Sequence, residues 1–195
     1  MPWRGVDPVV ISAQIILALQ TIITRQIDST VTPAVLSIST IHGGVRNNII
    51  PDDVVMEGTL RSHDEGVRAQ VKQRIEKTAK TIAELNGATA TFETGDGVPV
   101  TYNDPELTRW GTQSLGRGVG GERVKEIQPV MGAEDFSILA QAVPGMFFFL
   151  GITPPDEDAH TAPANHSPLF HIHEPALKYG VRALTFLAFD YLRRK

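Results

Sequence analysis

The 195-residue sequence predicts an α/β protein in two parts, and three observations lead to that prediction. Residues 7–98 show the order helix, strand, strand, helix, strand, and one more strand ahead of them would complete the split βαβ pattern of a ferredoxin-like α+β domain. From residue 104 helices and short apolar runs alternate again. Residues 147–150 form an apolar run without polar alternation, which is typical of a strand buried on both faces.

Local signals place the elements of the first part. Asp7 and Pro8 are the N-cap and first turn of a helix that continues to about Arg25. Asp64 opens a charged amphipathic helix, which the Asn-Gly pair at residues 86–87 ends. The predicted elements are helices at 7–25 and 64–85 and strands at 34–41, 54–60 and 88–93.

The second part is less regular. Its predicted elements are a helix at 104–115, a glycine-rich turn at 116–121, a strand at 124–127, a helix at 134–143, a strand at 146–150 and a closing helix at 174–193. In the closing helix Leu177, Val181, Leu184 and Leu187 share one face, which predicts a core-facing stripe.

Composition excludes several classes of protein. A formal net charge of −4, from 18 basic and 22 acidic residues, is unlike a nucleic-acid-binding domain or a polybasic membrane anchor. The absence of cysteine excludes disulfides, thiolate zinc sites and a cysteine nucleophile, so any metal must be held by His, Asp or Glu. Polar residues interrupt the apolar run at 9–23, and no cleavage signal closes it. We therefore expect a cytoplasmic protein with no nucleic-acid or membrane partner.

The densest chemical cluster is the loop before the closing helix, which holds four of the six histidines. Neutral imidazole is a common metal ligand, and a loop on a rigid scaffold can aim one. An exposed loop without function is the alternative. A further alternative is that His160, His166, His171 and His173 form a metal site of their own.

Two other segments are candidates for binding. The acidic pair Glu134 and Asp135 opens a helix, where it either complements the helix dipole or lines a pocket. Residues 43–51 are rich in Gly and Asn, which form turns, and Arg61 ends a nearby strand. The arginine is either a solvated strand end or a grip for a substrate carboxylate.

A collinear series of motifs resembles one known group of enzymes. The motifs are Pro-Trp-Arg-Gly-Val-Asp-Pro-Val-Val from residue 2, Ile-His-Gly-Gly at 41–44, Asn-Ile-Ile-Pro at 48–51, Glu-Gly-Thr-Leu-Arg at 57–61, Met-Gly-Ala-Glu-Asp-Phe at 131–136, Pro-Gly at 144–145 and His-Ser-Pro-Leu-Phe at 166–170. Their order and spacing resemble the metal-dependent amidohydrolases of the hippurate hydrolase and indole-acetyl-amino-acid hydrolase group, relatives of aminoacylase and glutamate carboxypeptidase. The resemblance covers the chain from about residue 2 to its end.

The resemblance implies a fold and a set of site residues. Residues 1–100 correspond to a ferredoxin-like lid that also forms a homodimer, without its first strand, and residues 104–195 to the C-terminal part of a metallopeptidase-type α/β catalytic domain. His166 falls on the last metal ligand of the group, which uses two divalent metal ions such as zinc, manganese or nickel. Asn48 and Arg61 fall on lid positions that reach the substrate, and Glu134 lies in a loop beside the active site.

The departures from the group's pattern define the functional hypotheses. In the enzyme group, the segment matched here is preceded by the other metal ligands, the general-base glutamate and a lid histidine. The single imidazole of His166 is not sufficient to bind two metal ions. We therefore expect the C-terminal fragment of an enzyme that hydrolyses the amide bond of N-acyl amino acids, inactive alone and completed by an upstream catalytic segment. The alternative is a non-catalytic dimerisation module or remnant. Unpaired strand edges also predict poor solubility or obligate pairing.

Overall fold

A computed structural model describes residues 1–95 and 97–194 of the chain. The residues fall into two compact units. The first unit comprises Met1–Val100 with Met131–Ala133, and the second comprises Thr101–Val130 with the residues from Glu134 onward. The elements are α1 (Pro8–Arg25), β1 (Ala34–His42), β2 (Val55–Ser62), α2 (Glu65–Leu85), α3 (Pro105–Val119), α4 (Phe136–Ala142) and α5 (Leu177–Leu192), with short 3₁₀ turns at Pro2–Arg4, Gly121–Arg123 and Glu174–Ala176.

Two capped helices form the core of the first unit, as predicted. The Asp7 carboxylate accepts hydrogen bonds from the Val9 and Val10 N–H groups of α1, and the Asp64 carboxylate accepts one from the Val67 N–H of α2. Their buried residues recur every three or four positions, which places them on one face of each helix. The core cluster consists of Ile11, Ile15, Leu19, Ile22, Leu36, Val71, Ile75, Ala79 and Ala83.

The strands β1 and β2 form an antiparallel hairpin with a bulge. The register runs from Ala34 opposite Ser62 to His42 opposite Val55, with an irregularity between Ile38 and Thr40. Gly58 faces this bulge, and a Cβ added there would lie 2.2 Å from the Ser37 carbonyl oxygen. The glycine of the Glu-Gly-Thr-Leu-Arg motif is therefore required by close backbone approach.

The predicted strand at residues 88–93 does not join a sheet. The side chains of Ala88, Ala90 and Phe92 are half-buried against the core cluster. The alternation of the sequence therefore appears in the burial of the side chains. The described residues nevertheless contain only the β1–β2 sheet. Alternation determines which side chains face the core, whereas a strand also needs a backbone partner, and no neighbour in the described part of the chain supplies one.

The predicted end of α3 is wrong. Asp104 caps the helix by accepting from the Leu107 N–H at 2.8 Å, and the helix continues to Val119 rather than to about Leu115. Gly118 lies inside the helix because α5 approaches it closely: a Cβ there would lie 2.8 Å from Cγ of Phe186. Gly118 thus permits close helix packing within the segment predicted as a turn.

The predicted strands at 124–127 and 146–150 are not paired in the described residues. The side chain of Asn103 hydrogen-bonds to the backbone of Phe147 in place of a partner strand. Its side-chain amide donates to the Phe147 carbonyl oxygen at 2.9 Å, and its side-chain oxygen accepts from the Phe147 N–H at 2.7 Å. A side chain thus satisfies the backbone groups that a sheet would otherwise pair. The helix predicted at 134–143 is shorter than expected and spans Phe136–Ala142.

Helix α5 forms as predicted, but most of its predicted apolar face is exposed. Val181 is 69% and Leu184 is 61% exposed, whereas Ala183 on another face is buried. The helix packs against α3, and Leu187 of the stripe is half-buried there, with Cδ2 3.6 Å from a Cβ placed on Gly111. The spacing identified the helix correctly, but the described part of the chain leaves most of the stripe uncovered.

Among the described residues one helix, α1, is long and apolar enough to cross a membrane by length and composition. Four of its residues belong to the core cluster of the first unit. The core helix of a soluble protein meets the same criterion, so the finding is weak evidence for a membrane span.

Candidate functional site

His166 has an unusual backbone conformation. It lies in the loop before α5 with φ of 72°, the left-handed region that side chains other than glycine rarely adopt. Among the described residues it is the only non-glycine residue with positive φ. Such strain is concentrated at functional sites, and the sequence motif places the expected metal ligand at this same residue.

The four loop histidines do not form a metal site of their own. Among residues 1–95 and 97–194, no group of three or more His, Asp or Glu side chains is arranged to hold a metal ion. His171 instead pairs with the Glu157 carboxylate through Nε2, at 2.8 and 3.0 Å from its two oxygens. The hypothesis of a separate histidine metal site is therefore wrong for the described residues.

Arg61 contacts a second predicted site segment. It lies near the end of β2, and its guanidinium donates to the carbonyl oxygen of Met131, the first residue of the Met-Gly-Ala-Glu-Asp-Phe motif. Both residues belong to the first unit. The side chain is thus engaged by a backbone acceptor, and further N–H groups of its planar guanidinium remain available for a carboxylate.

Asn48 lies on the wall of an open cavity in the first unit. The cavity has a volume of about 810 Å³ and is formed largely by the segment between the two strands. Gly44 in that segment has φ of 79°, and the Ile49 N–H donates to the Arg46 carbonyl, so the segment turns back on itself. The lining residues are Met1, Pro2, Asp7, Val9 and residues 43–51.

Glu134 lies just before α4 in the second unit, half-buried. Its carbonyl oxygen accepts from the backbone N–H and the hydroxyl of Ser137, at 3.1 and 2.5 Å. Asp135 occupies the N-cap position without a side-chain capping bond. The pair therefore does not cap the helix through a side-chain hydrogen bond, and its role in complementing the helix dipole or lining a pocket stays a prediction.

Two interactions in the second unit were not predicted from the sequence. The Glu157–His171 pair joins residues 14 apart, and the Ser114 hydroxyl donates to the Asp190 carboxylate at 2.7 Å, with Arg117 pairing with the same oxygen. Their separations match no short motif, so only the fold reveals them.

These interactions change the acidities of two side chains. The hydrogen bond to Glu157, followed by the one to the Leu169 carbonyl, raises the pKa of His171. The hydrogen bond from Ser114, followed by that from Arg117, lowers the pKa of the Asp190 carboxyl.

The fold is of the mixed α/β class and is similar to that of solved M20-family peptidases. More particularly, a family model described as peptidase family M20/M25/M40 matches residues 5–190, and the chain belongs to that family. The resemblance drawn from the motif series is thereby confirmed.

Individual relatives show the same correspondence. Thermostable carboxypeptidase 2 of Saccharolobus solfataricus is 42% identical over 191 residues, which are 97% of this chain and 47% of the relative. IAA-amino acid hydrolase ILR1-like 4 of Arabidopsis thaliana is 33% identical over 196 residues, which are 98% of this chain and 44% of the relative. The crystal structure of the YXEP protein of Bacillus subtilis, a dinuclear metal binding peptidase of the M20 family, superposes with a TM-score of 0.77 at 28% identity, covering 97% of this chain and 47% of that one. The chain thus spans just under half the length of these proteins.

Proposed function

We propose that the chain acts as the C-terminal part of a metal-dependent amidohydrolase that cleaves the amide bond of N-acyl amino acids. The observation that carries the proposal is the strained conformation of His166, the residue at which the motif resemblance implies a metal ligand. The names of the relatives, a carboxypeptidase and an IAA-amino acid hydrolase, support an amide substrate with a free carboxylate. Zinc, manganese and nickel are the metals to be tried, and a cytoplasmic location stays a prediction.

In this proposal Arg61 and Asn48 bind the substrate. A guanidinium suits a carboxylate because its planar N–H groups match the two oxygens. Since Arg61 already donates to the Met131 carbonyl, its guanidinium is oriented before a substrate arrives. The amide of Asn48 supplies a donor and an acceptor at the wall of the cavity. Glu134 is a weaker candidate for a substrate contact.

We propose further that the chain is inactive alone. Hydrolysis assisted by two metals requires several ligands and a general base, whereas the described residues contain no group of three potential ligands. The test is an assay of several N-acyl amino acids with the purified chain and each added metal. Robust turnover would contradict the proposal.

A fusion tests the site assignment itself. Joining the upstream half of the Saccharolobus carboxypeptidase to this chain should give metal-dependent hydrolysis, since the two sequences match over 97% of this chain. His166→Ala should then abolish turnover, and His160→Ala, a change in the same loop, should leave most of it. Equal loss in both variants would refute the assignment of His166.

The second candidate function is a non-catalytic dimerisation module. The observation that favours it is that the core cluster lies entirely in the first unit, while Leu17 on α1 is 71% exposed. Such a module has its own core and an apolar helix surface for a second copy. Light scattering distinguishes the candidates, since this one requires a defined homodimer and no hydrolysis in the fusion.

A further inference from the structure

The loop that carries His166 is closed at its base. The Glu157–His171 contact joins the two ends of a 15-residue stretch, and the His173 N–H donates to the Ile152 carbonyl at 2.7 Å just outside it. Within the stretch, backbone turns are formed at Asp158 and Ser167. Compact surface loops whose ends lie close together are frequently functional.

The contacts of His171 favour its charged form. Nε2 lies within hydrogen-bond distance of both Glu157 carboxylate oxygens, and Nδ1 lies 3.2 Å from the Leu169 carbonyl oxygen. A carboxylate and a carbonyl can only accept, so each ring nitrogen must donate. A neutral imidazole carries one N–H and the imidazolium carries two, so the full set of contacts requires the imidazolium.

We propose that His171 and Glu157 are positioning residues that form a pH-dependent clasp across the base of the loop and thereby hold His166 in its left-handed conformation. The clasp itself is independent of any metal. Its consequence for metal binding rests on the proposed role of His166.

The charges around the clasp determine its response to pH. Glu157 is the charged group that contacts His171; Asp156 and Asp158 flank it in sequence, and His173 and Glu174 follow along the chain. Because the pKa of His171 is raised in the folded state, the clasp contributes fully below the unfolded pKa of histidine and is lost as the pH rises through the raised value.

The expected effect is local. The side chains of His171 and Glu157 are 48% and 38% exposed, so solvent weakens their attraction. Exposed pairs of this kind change an opening equilibrium by about two- to fivefold. The change should therefore appear in the opening of the loop rather than in global unfolding.

The first measurement is an NMR titration of the histidines in the whole chain. The pKa of His171 should lie above that of a free histidine, and Glu157→Gln should return it to the ordinary value. Asp156→Asn is the matched control, because it removes a neighbouring charge and leaves the clasp. Equal pKa values in the wild type and Glu157→Gln, or an equal fall in the control, would overturn the proposal.

The second measurement is hydrogen exchange of residues 158–170, corrected for intrinsic rates. Opening of this segment should increase about two- to fivefold between pH 6 and pH 8.5 in the wild type. In Glu157→Gln it should already be at the high-pH wild-type level at pH 6 and should not change further at pH 8.5. No change in the segment would contradict the clasp. Neither measurement involves hydrolysis, so an inactive fusion enzyme would refute the proposed function and leave the clasp standing.

Discussion

His166 combines a strained backbone with a side chain of expected function. A left-handed conformation costs a non-glycine residue about 1–2 kcal/mol, and histidine is among the residues found there more often than average. The surrounding turn, in which the Ser167 N–H donates to the Ala164 carbonyl, helps to maintain the conformation. The conformation of His166 therefore carries a cost in stability, and strain of this kind is concentrated at functional sites.

Replacing His166 by glycine should separate stability from function. Glycine adopts φ of 72° without strain, so the free energy of unfolding should stay unchanged or rise by up to about 1 kcal/mol. His160→Gly, at a position without positive φ, should lower it by about 0.5–1 kcal/mol. Urea denaturation measures both. An equal loss in both variants would show that the strain at His166 is not significant.

The Asp190 carboxylate links two helices and makes stability depend on pH. Its pKa is lowered by hydrogen bonds from Ser114 and then Arg117, so its contribution is present above the unfolded pKa and is lost as the pH falls through the lowered folded value. Ser114→Ala should raise the pKa of Asp190 and shift the acid transition of the second unit to higher pH. NMR titration of the carboxyl measures this. Thr112→Ala, which removes a hydroxyl bonded only within α3, should leave the Asp190 pKa unaltered.

At the scale of elements, glycines in α3 have opposite roles. Gly111 and Gly118 face groups that a Cβ would meet at 2.6 and 2.8 Å, whereas the nearest group to a Cβ on Gly116 lies at 3.6 Å. The first two permit close packing, and the third is a helix position without a packing constraint. Helix propensity favours alanine over glycine at all three positions, but close packing opposes alanine only at Gly111 and Gly118.

Alanine substitutions distinguish these roles. Gly118→Ala should destabilise the second unit by about 1–3 kcal/mol, since the ring of Phe186 must move. Gly116→Ala should stabilise it by up to about 1 kcal/mol through helix propensity. Thermal melting monitored by circular dichroism measures both. Destabilisation by the two changes alike would contradict the close approach of α5 to Gly118.

The hairpin shows why a motif residue need not be functional. Gly58 belongs to the motif that ends in Arg61, and its role is to let the bulged strand β1 pass close by. The arginine three residues later reaches the Met131 carbonyl. Within one motif the glycine thus serves the fold, while the arginine is the candidate for binding.

On the scale of the whole molecule, large apolar side chains remain uncovered in the second unit. They lie on α5, on α4 and in the extended segment before the histidine loop, and surfaces of this kind promote association. The residues are Ile138, Leu139, Val143, Phe149, Leu150, Leu177, Val181, Leu184, Phe189 and Leu192. These exposed residues are the surface through which we expect the poor solubility or pairing predicted from the sequence to arise.

A charge on that surface should reduce association. Leu184→Lys places an ammonium group on the exposed stripe of α5 and should raise the concentration at which the protein self-associates by several-fold. Thr185→Lys adds the same charge at an adjacent exposed polar position and should have little effect. Sedimentation velocity measures association. A wild-type monomer that stays monodisperse and melts cooperatively at all concentrations would contradict the prediction.

The reliable sequence predictions are those that depend on neighbouring residues. Asp7, Asp64 and Asp104 cap the helices that follow them, and each cap is made by atoms within three residues of the carboxylate. The family assignment also followed from the sequence, because a collinear series of motifs is a property of order and spacing alone. The same motif series predicts His166 as a metal ligand.

Only the tertiary structure decided the features that depend on distant partners. An apolar run becomes a strand only if another backbone pairs with it, and at Phe147 the partner is the side chain of Asn103, 44 residues away. In the sequence, the glycines at 116 and 118 are typical of a turn. Only the close approach of α5 to Gly118 shows why a glycine lies inside the helix there. The pairing of Glu157 with His171 likewise has no local signal, because attraction between side chains depends on their distance in space, which the chain order of a loop does not specify.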